Sequence, residues 1–292
     1  MKKKTSFSTK GQRADIGNLT IYRILANRYA DAVGPFVFLD HVIPRLNPPV
    51  MQSGTGAHPH RGIATLSYIL EGEDEHFDSA GNYAKMYSGG IQWMKAGNGI
   101  IHDETLNADS TTGTNRIHGF QFWINLPSKN KAEKPEYLAI QHSEVPQKAL
   151  PNESGWIKVI VGGYEELYSK IPNYSAQFLY HIHLESGKSF TIFMDEKVEV
   201  AAFLPTKNTI LNDAQFGAGE FVEFDRNAGE ITIDNSLQEA TDILLFGGEP
   251  YTEPIVAEGP FVMNNKAEIA EAYRDFYAGK YGEIHPSKKS SV

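Results

Sequence analysis

Short runs of β-branched, aromatic and other apolar residues recur along this chain, each stopped by Gly, Asn, Asp or Pro, and that rhythm belongs to an all-β sandwich or barrel. Leu19-Thr-Ile-Tyr-Arg-Ile-Leu25, Thr65-Leu-Ser-Tyr-Ile-Leu70, Phe120-Gln-Phe-Trp-Ile-Asn-Leu126, Trp156-Ile-Lys-Val-Ile-Val161 and Glu199-Val-Ala-Ala-Phe-Leu204 read as strands. Turn signals fall between such runs at Asp78-Ser-Ala-Gly81, Ser88-Gly-Gly90, Gly97-Asn-Gly99 and Glu185-Ser-Gly187. One segment breaks the pattern near the C-terminus. From Asn265 to Gly279, Ile269, Tyr273, Phe276 and Tyr277 recur at helical intervals, with Asn265 as the cap and Gly279 at the stop.

A chain of 292 residues is long enough for two domains, each with its own core. The polar stretch Ser128-Lys-Asn-Lys-Ala-Glu-Lys-Pro135 reads as the connection out of the first. The expected division is therefore 1–133 and 134–292, with the N-terminal strands also free to pack on the second barrel. Residues 286–292 read as a frayed tail.

Composition removes several functional classes. No run approaches the roughly 18 apolar residues of a membrane-spanning helix, and the basic start Met1-Lys-Lys-Lys lacks the apolar core of a secretory signal. The expectation is a cytoplasmic protein without a membrane partner. A formal net charge of −9 argues against direct nucleic-acid binding. There is no cysteine, so any metal site must be built from His, carboxylate or amide groups.

Two short patterns meet that requirement. His58-Pro-His60 places two imidazoles at i and i+2, which project from one face of an extended strand. His102-Asp-Glu104 repeats the spacing with an imidazole and a carboxylate, leaving Asp103 on the opposite face. Two such pairs on neighbouring strands would supply three nitrogens and one oxygen to one divalent ion. An isolated His-x-His is more often two solvent-facing residues. Here, however, Gly54-Thr-Gly-Ala precedes the first pair and Gly97-Asn-Gly99-Ile-Ile the second, with glycines where tight turns are needed.

These segments resemble the paired metal-binding motifs of cupins, and specifically of pirins. The resemblance runs from about Gly11 to Gly282. It takes in Gly34-Pro-Phe36 with Asp40-His41, His58-Pro-His60-Arg-Gly62, Glu71-Gly72 with His76 and Asp78-Ser79, Gly97-Asn-Gly99-Ile with His102-x-Glu104, Trp123-Ile-Asn-Leu-Pro127, Gly248-Glu-Pro250 and Gly259-Pro-Phe-Val-Met-Asn264. It implies two cupin jelly-roll barrels packed together with a C-terminal helix, and a monomer. It implies His58, His60, His102 and Glu104 as metal ligands of the N-terminal barrel. Two departures stand out. Pirins commonly carry Gly-Phe-Glu-Thr where this chain has Gly62-Ile-Ala64-Thr65, removing a carboxylate expected near the site, and they usually read His-Ser-Glu where this chain has His102-Asp103-Glu104.

His181-Ile-His183 imitates the first motif in the second domain, but no His-x-Glu follows near Gly217–Glu223, so that barrel is expected to be metal-free. His41, His76 and His118 read as structural or pocket-lining, and His142 and His285 as surface groups. Arg61 faces away from the ligand pair toward a structural ion pair.

An octahedral ion with four protein ligands keeps two positions for other molecules. Fe(II) suits such a site for O₂ activation; Ni, Mn, Co, Cu and Zn fit the same ligands. The resemblance implies quercetin 2,3-dioxygenase activity on a flavonol with O₂, Glu104 remaining a ligand or briefly accepting the substrate proton. Phe38, Trp93, Met94, Phe120 and Phe122 are the expected lining of a barrel interior suited to a flat aromatic guest. The competing reading is a non-enzymatic, metal- or redox-dependent regulator of a protein partner. A sugar isomerase or small-molecule-binding cupin shares the scaffold.

Overall fold

The computed structural model describes residues 1–25, 32–52 and 54–284. His285 and the tail lie outside them. The described chain is built of antiparallel strands with one α-helix, Lys266–Tyr277, and three short 3-10 turns. Among the described residues no helix is long and apolar enough to cross a membrane. The chain divides into two compact units. One comprises 1–13, 22–37 and 143–251; the other comprises 14–21, 38–142 and 252–292.

In the first unit, a seven-stranded sheet runs in the order Thr5–Thr9, Glu220–Phe224, Glu199–Leu204, Thr241–Gly248, Gln177–Leu184, Gly155–Val161, Gln147–Ala149. A four-stranded sheet of Ser189–Met194, Gly229–Asp234, Thr209–Leu211 and Ala214–Phe216 closes over it. Alternate residues of facing strands, such as Ile157, Val159, Ile182, Leu184, Val222, Ile231 and Ile233, form one buried cluster. Each such side chain contributes roughly 1.5–3 kcal/mol when fully buried. The opening strand is part of this sheet because Phe7, Ser8 and Thr9 pair with Glu223, Val222 and Phe221.

The second unit repeats the two-sheet plan. One sheet orders Glu136–Ile140, Ile91–Lys95, Ile63–Glu71, Arg116–Asn125 and, from Phe38 onward, Phe36–Leu46. The other orders His58–His60, Ile100–Asn107, Glu73–Asp78 and Tyr83–Tyr87. Leu19, Ile21, Met51, Ile69, Met86, Leu106 and Ile117 are packed together in it. Both units are cupin barrels, as the resemblance implies.

The C-terminal segment completes the second unit. Asn265 caps the helix, its side chain accepting from the Glu268 amide at 3.0 Å, and Gly279 follows the helix at φ 73°. Ile269 and Ala272 pack with Phe261, Met263 and Tyr281. Arg61 reaches this helix, donating to Asp275 at 2.8 Å and Glu271 at 3.1 Å. That is the ion pair expected for a side chain on the opposite face from His58 and His60.

Candidate metal centre

Strand register brings the two short motifs together. The strand Ile100–Asn107 lies between His58–His60 and Glu73–Asp78, so His102 stands directly across from His58 on one side and Asp78 on the other. Glu104 is opposite His76, and Leu106 opposite Asp74. Directly paired residues share a face, which therefore carries His58, His60, His102, Glu104, His76, Asp74 and Asp78.

Hydrogen bonds on the far side of the rings fix which nitrogen each imidazole offers. His58 donates Nδ1–H to the Gly56 carbonyl at 2.8 Å, and His60 donates Nδ1–H to the Pro260 carbonyl at 3.1 Å. Each ring therefore offers its Nε2 lone pair: that of His60 is buried without a hydrogen-bond partner, and that of His58 faces His102 Nε2. This is the arrangement found behind metal-bound histidines, where a backbone acceptor sets the tautomer. His60 and His102 are buried. Burial beside other imidazoles lowers His60 to about 3 and His102 well below its ordinary value, so these rings are neutral at pH 7 and their lone pairs are available.

The donor atoms of His58, His60 and His102 lie within 4.8 Å of one another, and the Nε2 atoms of His58 and His102 are 3.1 Å apart. Two nitrogens bound to one ion at about 2.1 Å and roughly a right angle would be separated by about that distance. The three rings therefore fit a divalent ion.

Glu104 stands on the other side of His102. Its Oε1 is 3.6 Å from His102 Nδ1 and 4.0 Å from His76 Nδ1, and these three donors form a second group within 4.8 Å. Gln92 donates to Oε1, and Gln121 to Oε2 at 2.9 Å. Burial pushes the Glu104 carboxyl up to about 7 in spite of these donors. His76 is wholly buried, stacks on Tyr137 at 4.2 Å and is tied through Nε2 to Asp78 at 3.1 Å, itself held by Asn82. Its Nδ1 has no partner. The sequence reads His76 as structural or pocket-lining and Asp78 as part of a turn and of the family motif, and it gives no role to Gln92 or Gln121. The alternation Asp74-x-His76-x-Asp78 is the signal that could have found that face.

A cavity partly open to solvent borders Glu104. Leu19, Ile21, Ile69 and Leu106 form apolar walls, and Ser67, Asp74 and Gln121 add polar groups. Of the five residues expected to line it, only Phe120 does. Phe38 instead stacks on Trp123 at 4.1 Å, whose ring meets His60 edge-on at 5.0 Å. Trp93 and Phe122 are fully buried, and Met94 packs with Ala96 and Ile100. For Trp93 and Phe122 the cause is strand phase: Ser67, Ile69 and Gln121 take the cavity-facing positions, which turns Leu66, its partner Trp93, and Phe122 to the other side. Phe38 and Met94 share the phase of Asp40 and Ser67 but lie farther along their strands.

Residues 18–124 match the sequence profile of the family described as Pirin, and residues 179–282 that of the Pirin C-terminal cupin domain. A Pseudomonas aeruginosa protein provisionally named quercetin 2,3-dioxygenase is 32% identical over 264 residues, covering 89% of this chain and 90% of that protein. The chain belongs to the pirin family. Pirin from Rattus norvegicus is 33% identical, covering 77% of this chain and 76% of its own. The crystal structure of quercetin 2,3-dioxygenase from Acinetobacter baumannii superposes with a TM-score of 0.89 at 30% identity, covering 98% of this chain and all of that one. An Escherichia coli pirin solved with nickel(II) shares the fold, with a TM-score of 0.62 at 21% identity over 85% of this chain and 98% of that one.

The two departures from the usual pirin text take on physical meaning in this frame. Ala64 is buried and pairs with Lys95, an odd number of positions from cavity-facing Ser67, so it projects from the opposite face of its strand. Lys95 is held by Glu133 at 2.8 Å and Glu136 at 2.6 Å. A carboxylate at position 64 would bear on that ion pair and not on the cavity. Asp103 accepts from the Gly56 amide at 3.0 Å and pins the loop entering His58.

The remaining histidines are engaged elsewhere. His41 and His118 share a bond between their Nε2 atoms at 2.9 Å, and His142 is exposed. In the second cupin, Asp242 accepts from His181 at 2.9 Å and from His183 at 2.7 Å.

Proposed function

We propose that this chain binds one divalent ion through His58, His60, His102 and Glu104 and acts as a quercetin 2,3-dioxygenase, opening the flavonol ring with O₂. The observation that carries the proposal is the convergence of three imidazoles, two with tautomers set from behind, with Glu104 across the His102 ring from them and bordering a cavity. Relatives of that name at 32% and 30% identity support it. Three imidazoles and one carboxylate leave a divalent ion with a charge of about +1, attractive to a phenolate. Fe(II) is the ion best matched to O₂ chemistry on this donor set.

When bound, the ion supplies Lewis-acid polarisation of a ligand oxygen and a route for electrons toward O₂. The protein's own groups do the rest. Glu104 is placed to take the proton of the flavonol 3-hydroxyl, and Gln92 and Gln121 hold its two oxygens while it does so. Leu19, Ile21, Ile69 and Leu106 offer a flat aromatic guest an apolar wall and exclude water around it.

The test is elemental analysis of the purified protein beside the His58→Ala/Glu104→Ala variant, followed by O₂ uptake with quercetin on the iron-loaded form. One metal per chain, lost in the variant and accompanied by O₂ uptake, is expected. Stoichiometric metal without O₂ uptake would refute the dioxygenase and favour a metal-dependent regulator. Absence of metal from both proteins would refute the site.

A further inference from the structure

The cavity beside Glu104 holds a carboxyl that metal binding leaves unexplained. Asp74 is only 3% exposed and lines the cavity. Neighbouring acids are all served by donors: Glu104 by Gln92 and Gln121, Glu73 by Ser110 and Lys85, Asp78 by His76 and Asn82. Among the described residues, none donates a hydrogen bond to the Asp74 carboxyl. A carboxyl that lines a cavity and has no protein donor takes its hydrogen bonds from whatever occupies that cavity.

Register shows where that donor would come from. Asp74 pairs with Leu106, one alternate position along from the Glu104–His76 pair, a step of about 7 Å on a strand. Ile69 and Leu106 line the same cavity. A ligand whose reacting oxygen meets Glu104 and whose rings lie on this apolar wall would bring a hydroxyl on its far part to Asp74.

We propose that Asp74 is a specificity-determining residue that accepts a hydrogen bond from a second phenolic hydroxyl of an aromatic substrate, remote from the hydroxyl that meets Glu104. The inference rests on the flavonol reading and deepens it. Ionised, the carboxyl accepts the bond; protonated, it still accepts through its carbonyl oxygen. In either state the cavity favours a polyhydroxylated flavonol over one bearing the 3-hydroxyl alone. A site that hydrogen-bonds a substrate hydroxyl rejects the analogue lacking it, because its own buried group is then left unpaired.

The experiment measures binding of quercetin and of 3-hydroxyflavone to the zinc-loaded, full-length protein without O₂, for wild type, Asp74→Leu and Asp74→Asn, with metal content determined for each. Wild type is expected to prefer quercetin by about tenfold or more, as for a hydrogen bond to a charged group. In Asp74→Leu, at unchanged metal content, the preference is expected to collapse to within about threefold, with Asp74→Asn between the two because its amide oxygen still accepts. If Asp74→Leu does not fold, the reduced preference of Asp74→Asn decides in favour. A preference unchanged in the folded variants overturns the role of Asp74 and leaves the flavonol reading standing, since wild type still binds both compounds. Binding of neither compound to wild type overturns the flavonol reading and this inference with it.

Discussion

Replacing Glu104 by Gln should make the metal-free protein more stable at alkaline pH and leave it little changed in acid. Burial holds the Glu104 carboxyl at about 7, against an ordinary 4.5. At about 1.4 kcal/mol per pH unit, that difference carries roughly 3 kcal/mol. The sign follows from proton counting. Below about pH 4.5 both folded and unfolded chains hold the proton, and the group contributes nothing. Between about 4.5 and 7 the unfolded chain releases it first, so wild type loses stability as pH rises; above about 7 the loss levels off. Asp74, raised by burial and by Glu104, is relieved in the same variant and adds to the effect in the same sense. The assay is urea unfolding of chelator-treated wild type and Glu104→Gln between about pH 5 and pH 8, read as the difference of their unfolding free energies. Addition of zinc should then narrow the difference at pH 8: at a hundred times its dissociation constant a ligand stabilises by about 2.7 kcal/mol, and wild type, with its full donor set, gains more. A difference that stays flat across the pH range would refute the reasoning, because Glu104 would then ionise in the fold as it does in water.

Three further outcomes are expected. His60→Ala should lower metal content to well below one per chain in elemental analysis while the circular dichroism of the barrels persists. Gly62→Ala should cost at least about 2 kcal/mol in denaturant unfolding, because Gly62 sits at φ 83° and a Cβ there collides with the Val262 carbonyl oxygen. Arg61→Ala should destabilise by about 1–3 kcal/mol, since it leaves half-buried Arg61 contacts to Asp275 and Glu271 unmade, with helix loss visible by hydrogen exchange in Lys266–Tyr277.

The β rhythm, the capped helix and the face shared by each ligand pair were legible in the sequence because all three are local: they depend on residues two, three or four apart. Register was not. The alternation Asp74-x-His76-x-Asp78 puts those three on one face of their strand, but nothing near His102 or Glu104 says that Glu73–Asp78 pairs alongside them. Gln92 and Gln121 escaped notice for a related reason, since an amide on a strand carries no motif and only its partner reveals its use. The cavity lining went astray in two ways: Trp93 and Phe122 have the outward phase, while Phe38 and Met94 share the phase of Asp40 and Gln92 but sit too far along their strands to reach the cavity.

The bond from His60 Nδ1 to the Pro260 carbonyl spans 200 positions of chain. A ribosome moving along the message makes His58, His60, His102 and Glu104 early, yet the acceptor that turns the His60 ring emerges long afterwards, just before the helix that clasps Arg61. The opening strand waits in the same way, since its partners lie at Phe221–Phe224. The candidate metal centre is thus an early inscription with a late seal, and a nascent chain stalled before Pro260 should carry all four candidate ligands without holding an ion firmly.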